Sequence, residues 1–387
     1  MRQKITVIAG VLLALLVGIL PAAQADFTIP NAADALHAVQ AQPDKVDLDI
    51  LAAAYQGNGV ISGLAVSQRG AGANMSVDVA AGQARVGGYF PFVAATNMAV
   101  SAAHASNPRL DLVSVDYNGV LTVTAGTAAA APVLPAIPAN SIVLATVYVP
   151  ANDTTITDSQ LTDKRLVVAN VFDGEDDFEP GSTETGEIGQ WSWNTTASGT
   201  AANAQQAGEA SHPGIWRAQS GTTSGNNSRI HLGNAVTTGV VIPTDVARLR
   251  WIIRIPTVSS IIVKIGMGQD ISVSTADQWG TAGMWIELDS AGSANWQTET
   301  RQASTTTTNT GASAVTANNW YDIEQVQLQN GNWQFVVNKT ILFTHSANQP
   351  TTACNLGVLV HTVTAAARNI DIDFFGINYK PLGNRHT

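Results

Sequence analysis

Along most of the chain, apolar residues recur at every second position, the spacing that places them on one face of a β-strand. The run "RLRWIIRIP" sets Leu249, Trp251, Ile253 and Ile255 on one face, against Arg248, Arg250, Ile252 and Arg254 on the other. "IIVKIGM" repeats the device with Ile261, Val263, Ile265 and Met267, and "NIDIDFF" alternates Ile370, Ile372 and Phe374 against Asp371, Asp373 and Phe375. "SIVLATVYVP" is apolar on both parities and reads as a strand covered on both faces. Upstream, Val77, Val79 and Ala81 alternate with Asp78 and Ala80 until Gly82 breaks the run. Asn118-Gly119 predicts a hairpin with a type I′ turn, whose two central residues both need φ > 0, and Asn330-Gly331 predicts another hairpin. In the arm before Asn118, Leu110 and Leu112 have one parity and Val113, Val115 and Tyr117 the other. Such a strand is either covered on both faces or bulged. Pro132, Pro135 and Pro138 predict an extended, polyproline-like crossover between strands.

These patterns predict an all-β fold in four stretches. Residues 1–25 are a signal-like or anchor segment, and 26–59 a docking connector in which Asn31 caps a short helix stopped by Pro43. Residues 60–169 form a small β domain, a shaft or shoulder. Residues 170–387 form a larger two-sheet sandwich, for which a jelly roll is the expected topology. The start combines basic "MRQK", a 16-residue apolar run and the small-x-small ending Ala23-Gln24-Ala25. That is the shape of a secretory signal peptide cleaved before Asp26. If residues 5–23 are retained instead, they are nearly long enough to span a bilayer.

Composition narrows the function classes. Hydrophobic residues make up 45% and charged residues 12%, which excludes an intrinsically disordered chain. The net charge of −10 leaves no basic footprint for nucleic acid. Cys354 is the single cysteine, so neither an internal disulfide nor a multi-cysteine metal site can form.

Chemistry is sparse. Asp173, Glu175, Asp176, Asp177 and Glu179 put five carboxylates into seven residues. These are hard oxygen donors of the kind calcium takes, but the spacing is not that of an EF-hand. A solvated interdomain turn is the plainer reading, and no cofactor is expected. His212, His231, His345 and His361 are scattered, no nucleophile-elbow motif accompanies the serines, and no enzyme is expected. All nine tryptophans follow residue 190, and Trp279 and Trp296 stand in loop-like sequence, where exposed rings could stack on sugars. Arg248, Arg250 and Arg254 form a row that suits either an acidic glycan or the protection of an exposed sheet face.

Residues 30–168 resemble the N-terminal region of bacteriophage fibre proteins. The resemblance is carried in order by "NAADALHAVQAQPDKVDLDILAAAYQGNGVISGLAV", "MSVDVAAGQARVGGYF" and the stretch from "NPRLDLVSVDYNGVLTV" to "ITDSQLTDKR". The C-terminal part, through "GEASHPGIWRAQSGTTSG", "NNWYDIEQVQLQNGNWQFVVNKT" and "NIDIDFFGINY", is similar to concanavalin-like, laminin-G-type jelly rolls appended to such fibres. The resemblance implies a tail or head fibre or spike protein of a virion. It would assemble as a homotrimer with other virion structural proteins, for host attachment through surface glycan or for decoration. The signal-like start departs from the fibre pattern and keeps open an exported lectin or adhesin, secreted or at the cell surface.

Overall fold

The computed structural model describes residues 57–170, 172, 174–176, 178, 193–198, 202–232, 241–271 and 279–380. All of these belong to one compact unit, Asp49–Thr387. The signal-like segment and the expected docking helix lie outside the described residues. Among the described residues, no helix is long and apolar enough to cross a membrane.

The first part carries strands β1 (Gly59–Gly63), β2 (Val66–Gln68), β3 (Ser76–Val79), β4 (Gly82–Arg85), β5 (Phe92–Val93), β6 (Thr96–Ala99), β7 (Arg109–Asp116), β8 (Leu121–Thr124), β9 (Ser141–Val149) and β10 (Leu161–Asp163). They pair as β1-β4-β5, β2-β3-β6 and β10-β9-β7-β8. The three small sheets share a core that includes Leu64, Val77, Val79, Val113, Val115, Leu144, Val147 and Ile156. Both alternatives for the irregular arm are realised. β7 is buried on both faces, and its register against β9 shifts between Val113 and Ser114.

The second part carries β11 (Gly174–Asp176), β12 (Asn194–Ala197), β13 (Ala202–Gln206), β14 (Ile215–Gln219), β15 (Asn227–Leu232), β16 (Val246–Arg254), β17 (Ile261–Gly268) and β18 (Gly283–Asp289). It continues through β19 (Asn295–Gln302), β20 (Thr305–Ala314), β21 (Trp320–Gln327), β22 (Trp333–Val337), β23 (Thr340–His345), β24 (Asn355–Thr362) and β25 (Asn369–Tyr379). One sheet runs β13-β14-β25-β16-β21-β22-β23, with β11 added on β25, and the other runs β12-β15-β24-β17-β18-β19-β20. The chain crosses from sheet to sheet at β14–β15, β15–β16 and β16–β17, and the last two strands insert between earlier ones. This antiparallel sandwich is a jelly roll. The parity read from sequence fills its core: Leu249, Trp251 and Ile253 meet Ile261, Val263, Ile265 and Met267.

Two local expectations are corrected. The Asn-Gly hairpins are not type I′: Gly119 and Gly331 have φ of 76° and 86°, whereas Asn118 and Asn330 are not at positive φ. Each loop has three residues, closed by hydrogen bonds from Gly119 N–H to Asp116 O and from Gly331 N–H to Leu328 O. A tight turn followed by a left-handed glycine accounts for that geometry. Consecutive positive-φ pairs instead occupy the two-residue turns Ala303-Ser304 and Asn338-Lys339. In β25, a register shift opposite Ile252 and Ile253 leaves Asp373 as an extra residue. The bulge turns Phe375 into the core and Phe374 outward, reversing the simple alternation.

The small sheets pack on the outer face of the β16 sheet, where Phe90 and Phe92 meet Ala247, Val326 and Val336. Gln334 donates to Phe92 O (3.1 Å) and accepts from Phe92 N–H (3.0 Å). Gln83 donates to Glu324 at 3.3 Å.

Candidate functional site

Those expected site residues whose side chains the structure describes are buried or ion-paired. The β16 arginine row is buried or neutralised. Arg248 is fully buried, donates to Glu324 at 2.5 Å and to Asn170 at 2.6 Å, and stacks over Phe172. Arg250 pairs with Asp322 at 2.8 Å. Arg254 pairs with Asp371 and Glu209, both at 2.7 Å, and Asp371 is shared with Arg217. Cross-strand carboxylates on β21 and β25 answer each arginine, so the row holds strands together instead of waiting for an anion. His212 at this end is also committed: Nδ1 lies 2.8 Å from Asp373, and the ring stacks on Trp320 at 4.0 Å.

Trp279 and Trp296 are 1% and 0% exposed, which removes both as sugar platforms. Trp296 lies in β19 with its ring in the core, edge-on to Tyr321 at 5.3 Å. Its strand was illegible because the other inward positions, Thr298 and Thr300, are polar. Their hydroxyls reach both nitrogens of His345, at 2.8 and 3.0 Å, in the interior between the sheets. Trp279 packs on the backbone of Gly268, where a Cβ would come within 2.7 Å of it, and beside Trp285. Of the acidic run, Asp173, Asp177 and Glu179 lie outside the described residues, as do the side chains of Glu175 and Asp176. Among the described residues, no three His, Cys, Asp or Glu side chains are arranged to hold a metal. Cys354 is buried in the core and its thiol is pushed up to about 12, so it is no nucleophile.

A different face carries the unusual chemistry. On β15, β24, β17, β18 and β19 the positions alternating with the core residues point away from the sandwich interior. These outward positions include Arg229, His231, Lys264, Trp285, Glu287, Glu299, Arg301 and His361. An outward sheet face normally leaves its charges in water. Here Lys264 is 1% exposed, and Arg229 and Arg301 are each 8% exposed. Ile271 and Trp279, from the β17–β18 connection, join Trp285 and Leu359 in a small apolar ridge over this face.

At its centre, Glu287 accepts from Lys264 Nζ at 3.1 Å and from the Trp285 indole N–H at 3.0 Å. Lys264 also lies over the Trp285 ring, 4.8 Å from its centre. Burial raises the Glu287 pKa, against the opposing pull of Lys264. Glu299, which faces Trp285 across the strand pair, is raised by burial and then by the charge of Glu287. Thr308 donates to it at 3.1 Å. The result is a recessed set of fixed donors and acceptors over a buried indole, with two acids that feel each other. It can orient a polyhydroxylated ligand through charge-assisted hydrogen bonds. In sequence the signal was the opposite parity of "IIVKIGM" and "GMWIELD", where Lys264, Trp285 and Glu287 interrupt the core pattern.

Comparison with known proteins gives the following. No curated protein matches the chain. The crystal structure of SO2946, a protein of unknown function from Shewanella oneidensis MR-1, is 16% identical with a TM-score of 0.37, covering 50% of this chain and 81% of that one. The laminarinase catalytic domain from Thermotoga maritima MSB8 is 10% identical with a TM-score of 0.37, covering 55% of this chain and 99% of that one. The metal-free carbohydrate recognition domain of Emp46p is 8% identical with a TM-score of 0.34, covering 48% and 87% respectively. Residues 211–373, from the His212 corner through β25 as far as Asp373, match the family model of the SO2946-like C-terminal domain.

Proposed function

We propose that the jelly roll is a glycan-binding module, and that the chain is a fibre or spike subunit of a phage-type virion which uses it for host attachment without turnover. The observation that carries the glycan reading is the recessed polar face of the β17 sheet, where Arg229, Glu287, Glu299 and Arg301 keep partial exposure and the buried Lys264 and Trp285 indole N–H hold Glu287 in place. The virion part rests on the fibre resemblance of residues 30–168, which also suggests a homotrimer in contact with other virion structural proteins. An exported lectin or adhesin, secreted or at the cell surface, would use the same face.

The test is a glycan-array and pull-down comparison of the full chain with Glu287→Gln, which preserves shape and removes the carboxylate charge. Loss of glycan capture by the variant, with no reducing ends released by either protein, is expected. Reducing ends released by the unaltered chain would replace binding with hydrolysis, and no capture of any glycan would end the reading. Mass spectrometry of purified particles then separates virion subunit from exported lectin: absence from particles, with abundance in culture supernatant, removes the virion assignment.

A further inference from the structure

Arginine burial differs between the two outer faces of the sandwich. Arg248 is buried against Glu324, and in the first part Arg109 is buried against Asp111 at 2.9 Å, with further bonds to the Ser101 and Ala102 carbonyls. Each has a carboxylate partner, as buried guanidinium groups require. Arg229 and Arg301, on the recessed face, are nearly as deep but form no ion pair among the described residues, and the Nε of each has no hydrogen-bond partner. Asp270 acts electrostatically on Arg229, and Arg301 on Glu299. The buried Nε of each arginine carries a desolvation cost that no protein acceptor offsets, and an anion arriving from outside would relieve it.

We infer that the recessed face takes an acidic polysaccharide, whose carboxylate or sulfate groups are bound at two points by Arg229 and Arg301. This rests on the glycan-binding reading and specifies its ligand class. The two arginines stand on β15 and β19, four strand spacings apart in the order β15-β24-β17-β18-β19, or about 19 Å across the sheet. Arg229 lies level with Glu287, and Arg301 is opposite Gly283, four residues further along β18, or about 14 Å. The resulting separation, about 23 Å on a flat sheet, exceeds any monosaccharide and suits a repeating acidic chain spanning the sheet from β15 to β19. Glu287, already held by Lys264, offers such a chain an acceptor for its hydroxyls.

The experiment measures binding of the full chain to polygalacturonate, a sulfated galactan, neutral β-glucan and duplex DNA by biolayer interferometry, at low and high salt. The parallel proteins are Arg229→Gln, Arg301→Gln and, as a control on the opposite sheet, Arg250→Gln. Expected are capture of an acidic polysaccharide, weakening with salt, a loss of about tenfold or more in each of the first two variants, and little change in Arg250→Gln. Galacturonic acid monomer should compete poorly, since it reaches one arginine at a time. Because the Nε of each arginine is buried without an acceptor, thermal melting of the first two variants should match or exceed the unaltered chain. If either melts early, the salt dependence and monomer competition of the unaltered chain still decide. Equal capture of neutral glucan, unaffected by either variant, would overturn the acidic assignment and leave the glycan reading standing. DNA bound as tightly as the polysaccharide would overturn the sugar assignment. Capture of nothing would overturn both.

Discussion

Replacing His345 with glutamine and measuring the stability of both proteins against pH tests whether the fold depends on a neutral core imidazole. His345 ends β23 and is 2% exposed, with its ring edge-on to Phe335 at 4.9 Å. The Thr300 hydroxyl donates to Ala347 O at 2.9 Å, so it accepts from His345 Nδ1–H. Nε2 then accepts from the Thr298 hydroxyl at 2.8 Å and lies 3.2 Å from Asn309 Nδ2. One tautomer of the neutral ring is satisfied, and a second proton would have to displace those donors. Burial lowers the His345 pKa from 6.5 to about 4.

The unfolded chain therefore binds a proton between these values while the folded chain does not. The His345 contribution is complete above the unfolded pKa, is lost as pH falls from 6.5 toward about 4, and changes no further below that. Between about pH 7.5 and about pH 4.5 the loss is about 2–3 kcal/mol. Glu287 and Glu299, raised by burial, act oppositely: the stability tied to their protonated forms falls as pH rises through the carboxylate range. The total curve mixes the two, so the informative quantity is the difference between the proteins. Urea unfolding followed by tryptophan fluorescence should find the variant less stable at about pH 7.5, and the gap should narrow by about 2–3 kcal/mol at about pH 4.5. A gap independent of pH would refute the neutral-histidine reasoning.

Two further outcomes follow from packing. Trp296→Ala should lower stability by about 3–5 kcal/mol, read by thermal melting, because it empties a fully buried indole site. A variant that folds normally and loses only glycan binding would contradict that placement. Glu324→Ala should lower stability by about 3–5 kcal/mol by leaving Arg248 buried without its carboxylate, while Arg248→Met with Glu324→Leu should recover much of the loss. A double variant no better than Glu324→Ala would show that the pair contributes more than mutual charge compensation.

Strand identity was legible wherever the inward side of a strand is aliphatic, as in β16 and β17, because burial and period agree there. It failed where inward positions are polar for a structural reason. β19 presents Trp296, Thr298 and Thr300 inward, and the threonines serve a histidine on a strand more than forty residues away in sequence. No local pattern reports that distant partner. The arginine row was visible in "RLRWIIRIP", but its carboxylates come from β21 and β25, so its neutralisation is a property of strand pairing. Asn118-Gly119 and Asn330-Gly331 located their hairpins correctly, yet local composition did not distinguish a two-residue turn from a three-residue loop with a left-handed glycine.

The same strand pairing bears on which face can meet a ligand. Apolar docking by Phe90 and Phe92 and the hydrogen bonds of Gln83 and Gln334 cover part of the outer β16 sheet, and ion pairs to Asp322, Asp371 and Glu209 occupy the arginines beyond it. Placing the first part there desolvates Arg248 and Glu324 together, so the pair is compensated where it is buried. Among the described residues, neither Arg229 nor Arg301 on the β17 sheet has an ion pair, and the Nε of each is buried without an acceptor. If their burial were only a by-product of sheet curvature, replacing them with neutral residues would stabilise the chain at no functional loss. If it is maintained for a ligand, stabilisation and loss of polyanion binding should appear together in the same variants. Measuring melting and binding on one set of proteins therefore separates an accident of packing from a site.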